Sequence, residues 1–207
     1  MERRGKVVGL VLASASPRRK MLLEMVGLAH RVVAPSLEED CIECADPKER
    51  VLLLAKEKVG RVRSGVKDAI ILGADTLVVK DGKILEKPVS RADAARMLSE
   101  LSGRWHEVYT GLYLADIVAG RETSGCEVTR VKFRHMGNEE IDAYLETGEP
   151  MDKAGSYGIQ GYGAVFIDRV EGCYFNVVGL PLRRLVELLG QLGCSFDFHE
   201  LRRSDRD

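Results

Sequence analysis

Two short stretches hold most of the side chains able to do chemistry. The run Ser14-Ala15-Ser16-Pro17-Arg18-Arg19 sits where an apolar segment, Val7 to Ala13, gives way to Met21, Leu22, Met25 and Val26 at helical spacing. Ser16 and Pro17 read as N-cap and first helical residue of a helix from Pro17 to Val26, which Gly27 closes. Arg18 and Arg19 then fall in the first turn, beside the positive end of the helix macrodipole. Each cation is misplaced there by roughly 0.3–1 kcal/mol unless an anion is nearby. The pattern of strand, hydroxyl-bearing loop and helix N-terminus is one that cradles phosphate. On this reasoning, removing Arg19 is expected to leave the ligand-free protein unchanged in stability or slightly more stable.

The second stretch is Leu72-Gly73-Ala74-Asp75-Thr76-Leu77. A strand buried on both faces has no use for an ionised carboxylate, whose burial costs several kcal/mol unless it is paired or metal-bound. Asp75 therefore reads as functional, and Thr76 adds a second polar group to the same apolar run. Lys58 is read on the exposed side of a helix, and Lys87 precedes Pro88 in an extended segment. Taken together, Arg18, Arg19, Lys58 and Lys87 would surround a polyanion, with a nearby carboxylate holding a divalent cation that bridges it. A nucleoside triphosphate fits that description. Between Gly155 and Gly163, Gln160 stands in a loop with glycines at 155, 158, 161 and 163. The glycines are accounted for by positive φ angles in a tight loop. The Gln160 amide offers both a donor and an acceptor, which suits a pyrimidine edge or a ribose hydroxyl.

The elements that must position these groups follow from periodicity. Val7 to Ala13 is a buried strand. A helix from Pro47 to Val62 buries Val51, Leu54, Ala55 and Val59, with Lys56 and Lys58 off that stripe. Ala69 to Val79 is a central strand, and Asp81-Gly82 turns it into Lys83 to Leu85. Ser90 and Asp93 have capping-box spacing ahead of a helix that Gly103 ends. Period-two segments follow, from Trp105 to Asp116 and from Cys126 to Arg134, with a hairpin connection at Val118 to Glu122. Asn138 caps a short helix to Leu145, Ala164 to Val170 is a further strand, and Pro181 to Leu192 is the last amphipathic helix. The tail from Gly193 to Asp207 is charged and expected to fray. No linker, repeat or low-complexity tract divides the chain, so residues 1–207 read as one α/β domain. Its sheet is expected to be mixed and mostly antiparallel, with flanking helices and two lobes around a cleft.

With 31 basic against 32 acidic residues and a net charge of -1, the chain has no global field for nucleic acid or an acidic membrane. The N-terminal residues imitate a signal peptide, but their apolar run contains a glycine and is equally a buried strand. No run approaches the roughly 20 apolar residues of a membrane span, so a cytoplasmic location is expected. Five cysteines at irregular spacing do not form a disulfide framework. Cys41 and Cys44 make a C-x-x-C with no second pair, and chance accounts for it better than metal or redox use.

The assembled residues resemble the Maf family of nucleotide pyrophosphatases. The SxSPRR signature stands at Ser14 to Arg19 and GADT at Gly73 to Thr76; EKP, LSGRWHEVYTG, DKAGSYGIQG and NVVGLPL follow in order, between Leu10 and Leu189. The first few residues, the stretch from Asp40 to Asp46 and the tail lie outside the match. The resemblance implies an elongated α/β fold similar to the inosine triphosphate pyrophosphatases. It implies hydrolysis of a nucleoside triphosphate to the monophosphate and pyrophosphate, with a divalent metal, magnesium or manganese. By motif, Asp75 corresponds to the proton acceptor and a metal-site carboxylate, with Glu39 as a second carboxylate. Ser14, Arg18, Arg19, Lys58 and Lys87 match phosphate-site positions. Arg18, Thr76 and Gln160 match the positions that mark the dTTP/UTP branch rather than the 7-methyl-GTP branch. A sanitising role in the nucleotide pool, including modified pyrimidine triphosphates, belongs to the same expectation. The rival readings are a 7-methyl-GTP pyrophosphatase and a nucleotide-binding regulator of septation that does not turn over. The expected partner is the triphosphate substrate, with neither nucleic acid nor membrane, and a homodimer is one option for assembly.

Overall fold

The computed structural model describes residues 6–35, 44–198 and 200–203. Its principal sheet runs in the order β2 (Arg31–Val32), β1 (Gly9–Ala13), β3 (Ala69–Lys80), β5 (Trp105–Asp116), β6 (Arg121–Phe133) and β7 (Ile167–Glu171), with β4 (Lys83–Leu85) paired to β3. β1 is parallel to both β2 and β3, whereas β3 with β4 and β6 with β7 are antiparallel. The fold is α/β with a mixed, mostly antiparallel sheet and flanking helices, as the sequence leads one to expect. None of the described helices is long and apolar enough to cross a membrane.

The chain divides into two compact units. The first comprises residues up to Asp75, Gly111–Cys126 and the chain from Gly179 onward; the second comprises Thr76–Thr110 and Glu127–Val178. In the first unit, Ser16 stands at the N-cap of α1 (Pro17–Met25) without a side-chain cap bond, and Gly27, at φ 72°, ends the helix. The buried face of α1 is Arg19, Leu22 and Leu23, while Met21 and Met25 are exposed. The methionine stripe read from the sequence is thus displaced by a fraction of a turn, because Arg19 points inward. Helix α2 (Pro47–Arg63) buries Val51, Leu54, Ala55, Lys58, Val59 and Val62. Lys58 therefore belongs to the buried stripe, contrary to the expectation of an exposed lysine. It stands seven residues after Val51, a position that helical geometry returns to the same face.

The tail corrects a second expectation. Helix α6 (Leu182–Gln191) is followed by β8 (Cys194–Asp197) and β9 (Glu200–Arg203), which pair as an antiparallel hairpin. Leu201 is buried, and the Arg203 guanidinium grips Asp116 with two hydrogen bonds of 2.7 and 2.9 Å. An inward leucine and a buried ion pair hold the segment, although its composition is that of a frayed end.

In the second unit, Asp81 and Gly82, both at positive φ, turn β3 into β4. The Ser90 hydroxyl caps α3 (Arg91–Leu101) by accepting from Asp93 N, but Asp93 reaches back to Val89 N rather than to Ser90 N. Gly137, not Asn138, is the N-cap of α4 (Asn138–Glu146), and the Glu140 carboxylate accepts from Gly137 N. The glycine-rich stretch folds as short 3-10 turns at Glu149–Asp152, Ala154–Ser156 and Tyr162–Phe166, so β7 begins only at Ile167. A short helix, α5 (Tyr174–Val178), follows that strand and had no sequence signal of its own.

Candidate active site

The carboxylate–lysine pair is assembled by glycine. Gly73 on β3 lies against α2 so closely that a Cβ there would stand 2.2 Å from the Ala55 carbonyl oxygen. Gly111 on β5 lets the same helix approach one turn earlier, where a Cβ would stand 2.6 Å from the Val51 carbonyl. With Ala55 seated on Gly73, the side chain three residues along the helix meets the side chain two residues along the strand. These are Lys58 and Asp75, whose Nζ and Oδ1 are 2.6 Å apart, both buried. Alternation along β3 directs Gly73 and Asp75 to the face that α2 covers.

The SPRR turn stands beside this pair. β1 runs parallel to β3 with Ala13 opposite Gly73, so Ser14 leaves the sheet at the carboxyl end of β1, beside the middle of β3, where Asp75 stands two residues past Gly73. The carboxyl end of a parallel strand such as β1 is where open α/β sheets bind ligands. Ser14 is buried, and its hydroxyl oxygen accepts both from Ser16 N at 3.1 Å and from Arg19 Nη1 at 3.1 Å. Arg19 also donates through Nε to the Gly179 carbonyl at 2.9 Å. It is thus a built-in part of the turn, held by a hydroxyl and a carbonyl. Arg18, one residue earlier, is half-buried.

Thr76, Lys87 and Gln160 belong to the second unit. Thr76 is half-exposed on β3, and its hydroxyl lies 2.9 Å from that of Thr110 on β5. Lys87 is exposed in the loop between β4 and α3. Gln160 is half-buried in the glycine-rich loop, which is tied down by the bond from Gly155 N to Glu86 O at 3.1 Å. Gly155, at φ 69°, packs on Val78 so closely that a Cβ would lie 2.9 Å from Cγ1. Val78 and Thr76 share a face of β3, so this loop begins on the side of the strand that carries Thr76.

Glu39 and Cys41 lie outside the described residues. Among the described residues no group of three His, Cys, Asp or Glu side chains could hold a metal ion. A hard divalent cation bound through one carboxylate and substrate phosphates needs no such group. Asp75, an oxygen donor in the middle of β3 just past the carboxyl end of β1, fits that mode of binding.

Two buried groups escape reading from the sequence. Thr110 is fully buried and hydrogen-bonded to Thr76; the period-two pattern of β5 puts it on the same face as His106 and Val108, and that was the available signal. His106 Nε2 lies 2.8 Å from the Tyr157 hydroxyl. Burial foremost, and the Lys80 charge after it, push the imidazole down to about 3, so His106 is neutral at physiological pH. Burial likewise raises the Tyr157 phenol far above its ordinary value.

The family and sequence comparisons agree. A family model described as Maf-like protein matches residues 9–192. The chain is 50% identical over 184 residues to a protein of Moorella thermoacetica named dTTP/UTP pyrophosphatase, covering 89% of this chain and 95% of the relative. A protein of the same name from Acetivibrio thermocellus is 47% identical over 196 residues, covering 91% and 98%. Among solved structures, a HAM1 protein from Coxiella burnetii aligns at 13% identity and a TM-score of 0.46, covering 77% of this chain and 80% of that one.

Proposed function

Since the chain belongs to the Maf-like protein family, we propose that it is a nucleoside triphosphate pyrophosphatase that hydrolyses dTTP and UTP to the monophosphate and pyrophosphate. The observation that carries the reading is the convergence of the Ser14–Arg19 turn and the Lys58–Asp75 pair at the carboxyl end of β1, beside the middle of β3. The share of each chain covered by its curated relatives, and the name they carry, support the substrate assignment.

In this reading Arg18, Arg19, Lys58 and Lys87 neutralise phosphate charge, and the Ser14 hydroxyl positions the Arg19 fork. Water attacks the α-phosphorus, the bond from that phosphorus to the bridging oxygen breaks, and pyrophosphate leaves. Lys58 holds the Asp75 carboxylate in place, and Asp75 takes the proton of the attacking water or holds the cation. Asp75, with Glu39 as a further candidate, would hold a divalent cation, magnesium or manganese, which would supply charge neutralisation and activation of water there. Thr76 and Gln160, with Arg18, read the base. The proposal places the activity in the cytoplasmic nucleotide pool.

The test is a panel of dTTP, UTP, CTP, GTP and 7-methyl-GTP, each with magnesium or manganese, with pyrophosphate and orthophosphate followed separately. Pyrophosphate is expected as the first product, fastest from dTTP and UTP, and only with a divalent cation. Preference for 7-methyl-GTP would overturn the substrate assignment, and orthophosphate as the first product would overturn the reaction.

A further inference from the structure

Residues 158–163 form an arch with Gln160 near its centre, and one carboxylate and one phenol hold both of its feet. The Glu149 carboxylate accepts from Tyr162 N at 2.9 Å through Oε2 and from Gly163 N at 3.0 Å through Oε1. Oε1 also accepts from the Tyr144 hydroxyl at 2.8 Å, and that hydroxyl accepts from Gly158 N at 3.3 Å. Tyr144 and Glu149 thus bridge the backbone before Gln160 to the backbone after it. The feet themselves touch: a Cβ on Gly163 would stand 2.5 Å from the Gly158 carbonyl oxygen and 2.7 Å from the Tyr144 hydroxyl oxygen.

The clamp is in turn fixed by its own surroundings. Tyr144 is buried on α4, with its ring edge-on to Phe166 at a centroid separation of 5.1 Å. The Glu149 backbone carbonyl accepts from Lys153 Nζ at 2.8 Å, and the stem of that lysine runs along Gly158, where a Cβ would lie 3.0 Å from Cε. Gly161, at φ 83°, carries the backbone beneath the Glu149 carboxylate with no room for a side chain. A free loop of this length would have to be ordered each time a ligand met Gln160, and that entropy would be lost from binding. Here the order is already present. The phosphate chemistry proposed above makes no use of Glu149 or Tyr144.

We infer that Glu149, with Tyr144 as its partner, is a positioning residue for substrate recognition: the pair holds the Gln160 arch in the shape that meets the base. This rests on the reading of Gln160 as a base-contacting residue of a pyrimidine triphosphate pyrophosphatase. With the clamp opened, only the molecules whose arch is formed bind tightly, and apparent affinity falls by that fraction. The phosphates are held by other residues, so the chemical step is spared.

The experiment measures kcat and KM for pyrophosphate release from UTP and dTTP, and the inhibition constant of inorganic tripolyphosphate, which has the phosphates without the base. The proteins are the wild type, Glu149→Gln, Tyr144→Phe, Gln160→Ala and the double variant Glu149→Gln with Gln160→Ala. Glu149→Gln replaces one of the two accepting oxygens by a donor and is expected to raise KM about tenfold, with kcat within about threefold and tripolyphosphate inhibition unchanged. Tyr144→Phe should shift KM in the same sense by a smaller factor, and it carries the test if Glu149→Gln does not fold, since the ring stays against Phe166. Combined with Gln160→Ala, Glu149→Gln should raise KM no further, because the residue it positions is gone. A merely structural Glu149 would lower the melting temperature and leave the KM of the folded enzyme in place, or its effect on KM would multiply with that of Gln160→Ala; either result overturns the inference. Tripolyphosphate inhibition weakened as much as KM also overturns it, since the effect would then lie with the phosphates. An unchanged KM in Gln160→Ala, or no turnover of UTP by the wild type, defeats the functional reading first and the inference with it.

Discussion

Lys58 Nζ stands 2.6 Å from Asp75 Oδ1, with the two side chains only 7% and 8% exposed. The pair is therefore at once an element of the fold and the centre of the proposed chemistry. Removing one charge leaves the other buried and uncompensated, at a cost on the order of 3–5 kcal/mol. Two effects must then be separated.

Asp75→Asn is expected to lower kcat by roughly 10² to 10⁴, the span of a positioned acid-base group, and also to lower the melting temperature. The sequence alone suggests that a near-isosteric asparagine spares the fold; the buried ammonium opposite makes that untenable. The double variant Lys58→Met with Asp75→Asn should recover much of the stability and none of the activity. Recovery of turnover to within a few-fold of wild type in either variant would remove Asp75 from the mechanism.

Arg19→Ala is expected to destabilise the ligand-free protein. The guanidinium is buried and bonded to the Gly179 carbonyl and the Ser14 hydroxyl, so its loss leaves a buried carbonyl short of a donor, at about 1–3 kcal/mol. For a chain of this size that is roughly 2–4 °C of melting temperature for each kcal/mol. Triphosphate affinity should fall by at least about tenfold in the same preparation, because a charge-assisted bond to phosphate goes with it. An unchanged or raised melting temperature would restore the view of Arg19 as a misplaced helix-end charge.

His106 predicts an acid-side loss of stability. Its folded pKa of about 3 lies below the ordinary value of 6.5 for an unfolded histidine. Between those values the unfolded chain binds a proton that the folded chain does not. Stability fully present above pH 6.5 is therefore lost as the pH falls, by about 1.4 kcal/mol per pH unit. Urea unfolding between pH 7 and 4 should show that slope, and His106→Gln should flatten it by one proton. An equal slope in the variant would assign the acid sensitivity elsewhere.

Arg203→Ala tests the hairpin that ends the described chain. The Asp116 side chain is fully buried and also accepts from Val118 N and Ala119 N, so loss of the guanidinium should cost on the order of 3 kcal/mol. A variant as stable as the wild type in urea would return the segment to the status of a frayed tail.

The residues that read correctly from sequence are those whose behaviour is decided within a few positions. The start of α1 at Pro17, its end at Gly27, the Asp81-Gly82 turn and the Ser90 cap all follow from backbone preferences that neighbours cannot override cheaply. The ordered motifs also identify the family, because they preserve residue types along the chain. The side chains that were misread are those whose surroundings come from far away: Lys58 is buried by a partner 17 residues on, Arg19 by a carbonyl 160 residues on, and Arg203 by a carboxylate 87 residues back. A lysine at a buried helical position looks the same in sequence as one at the surface until the strand bearing its carboxylate is laid against the helix. Likewise the sequence supplies a threonine at 76, but its contact with the Thr110 hydroxyl exists only once β5 is laid beside β3. Periodicity fixes which face a residue belongs to; only tertiary packing decides what waits on that face, and for polar groups the partner determines both the energy and the chemistry.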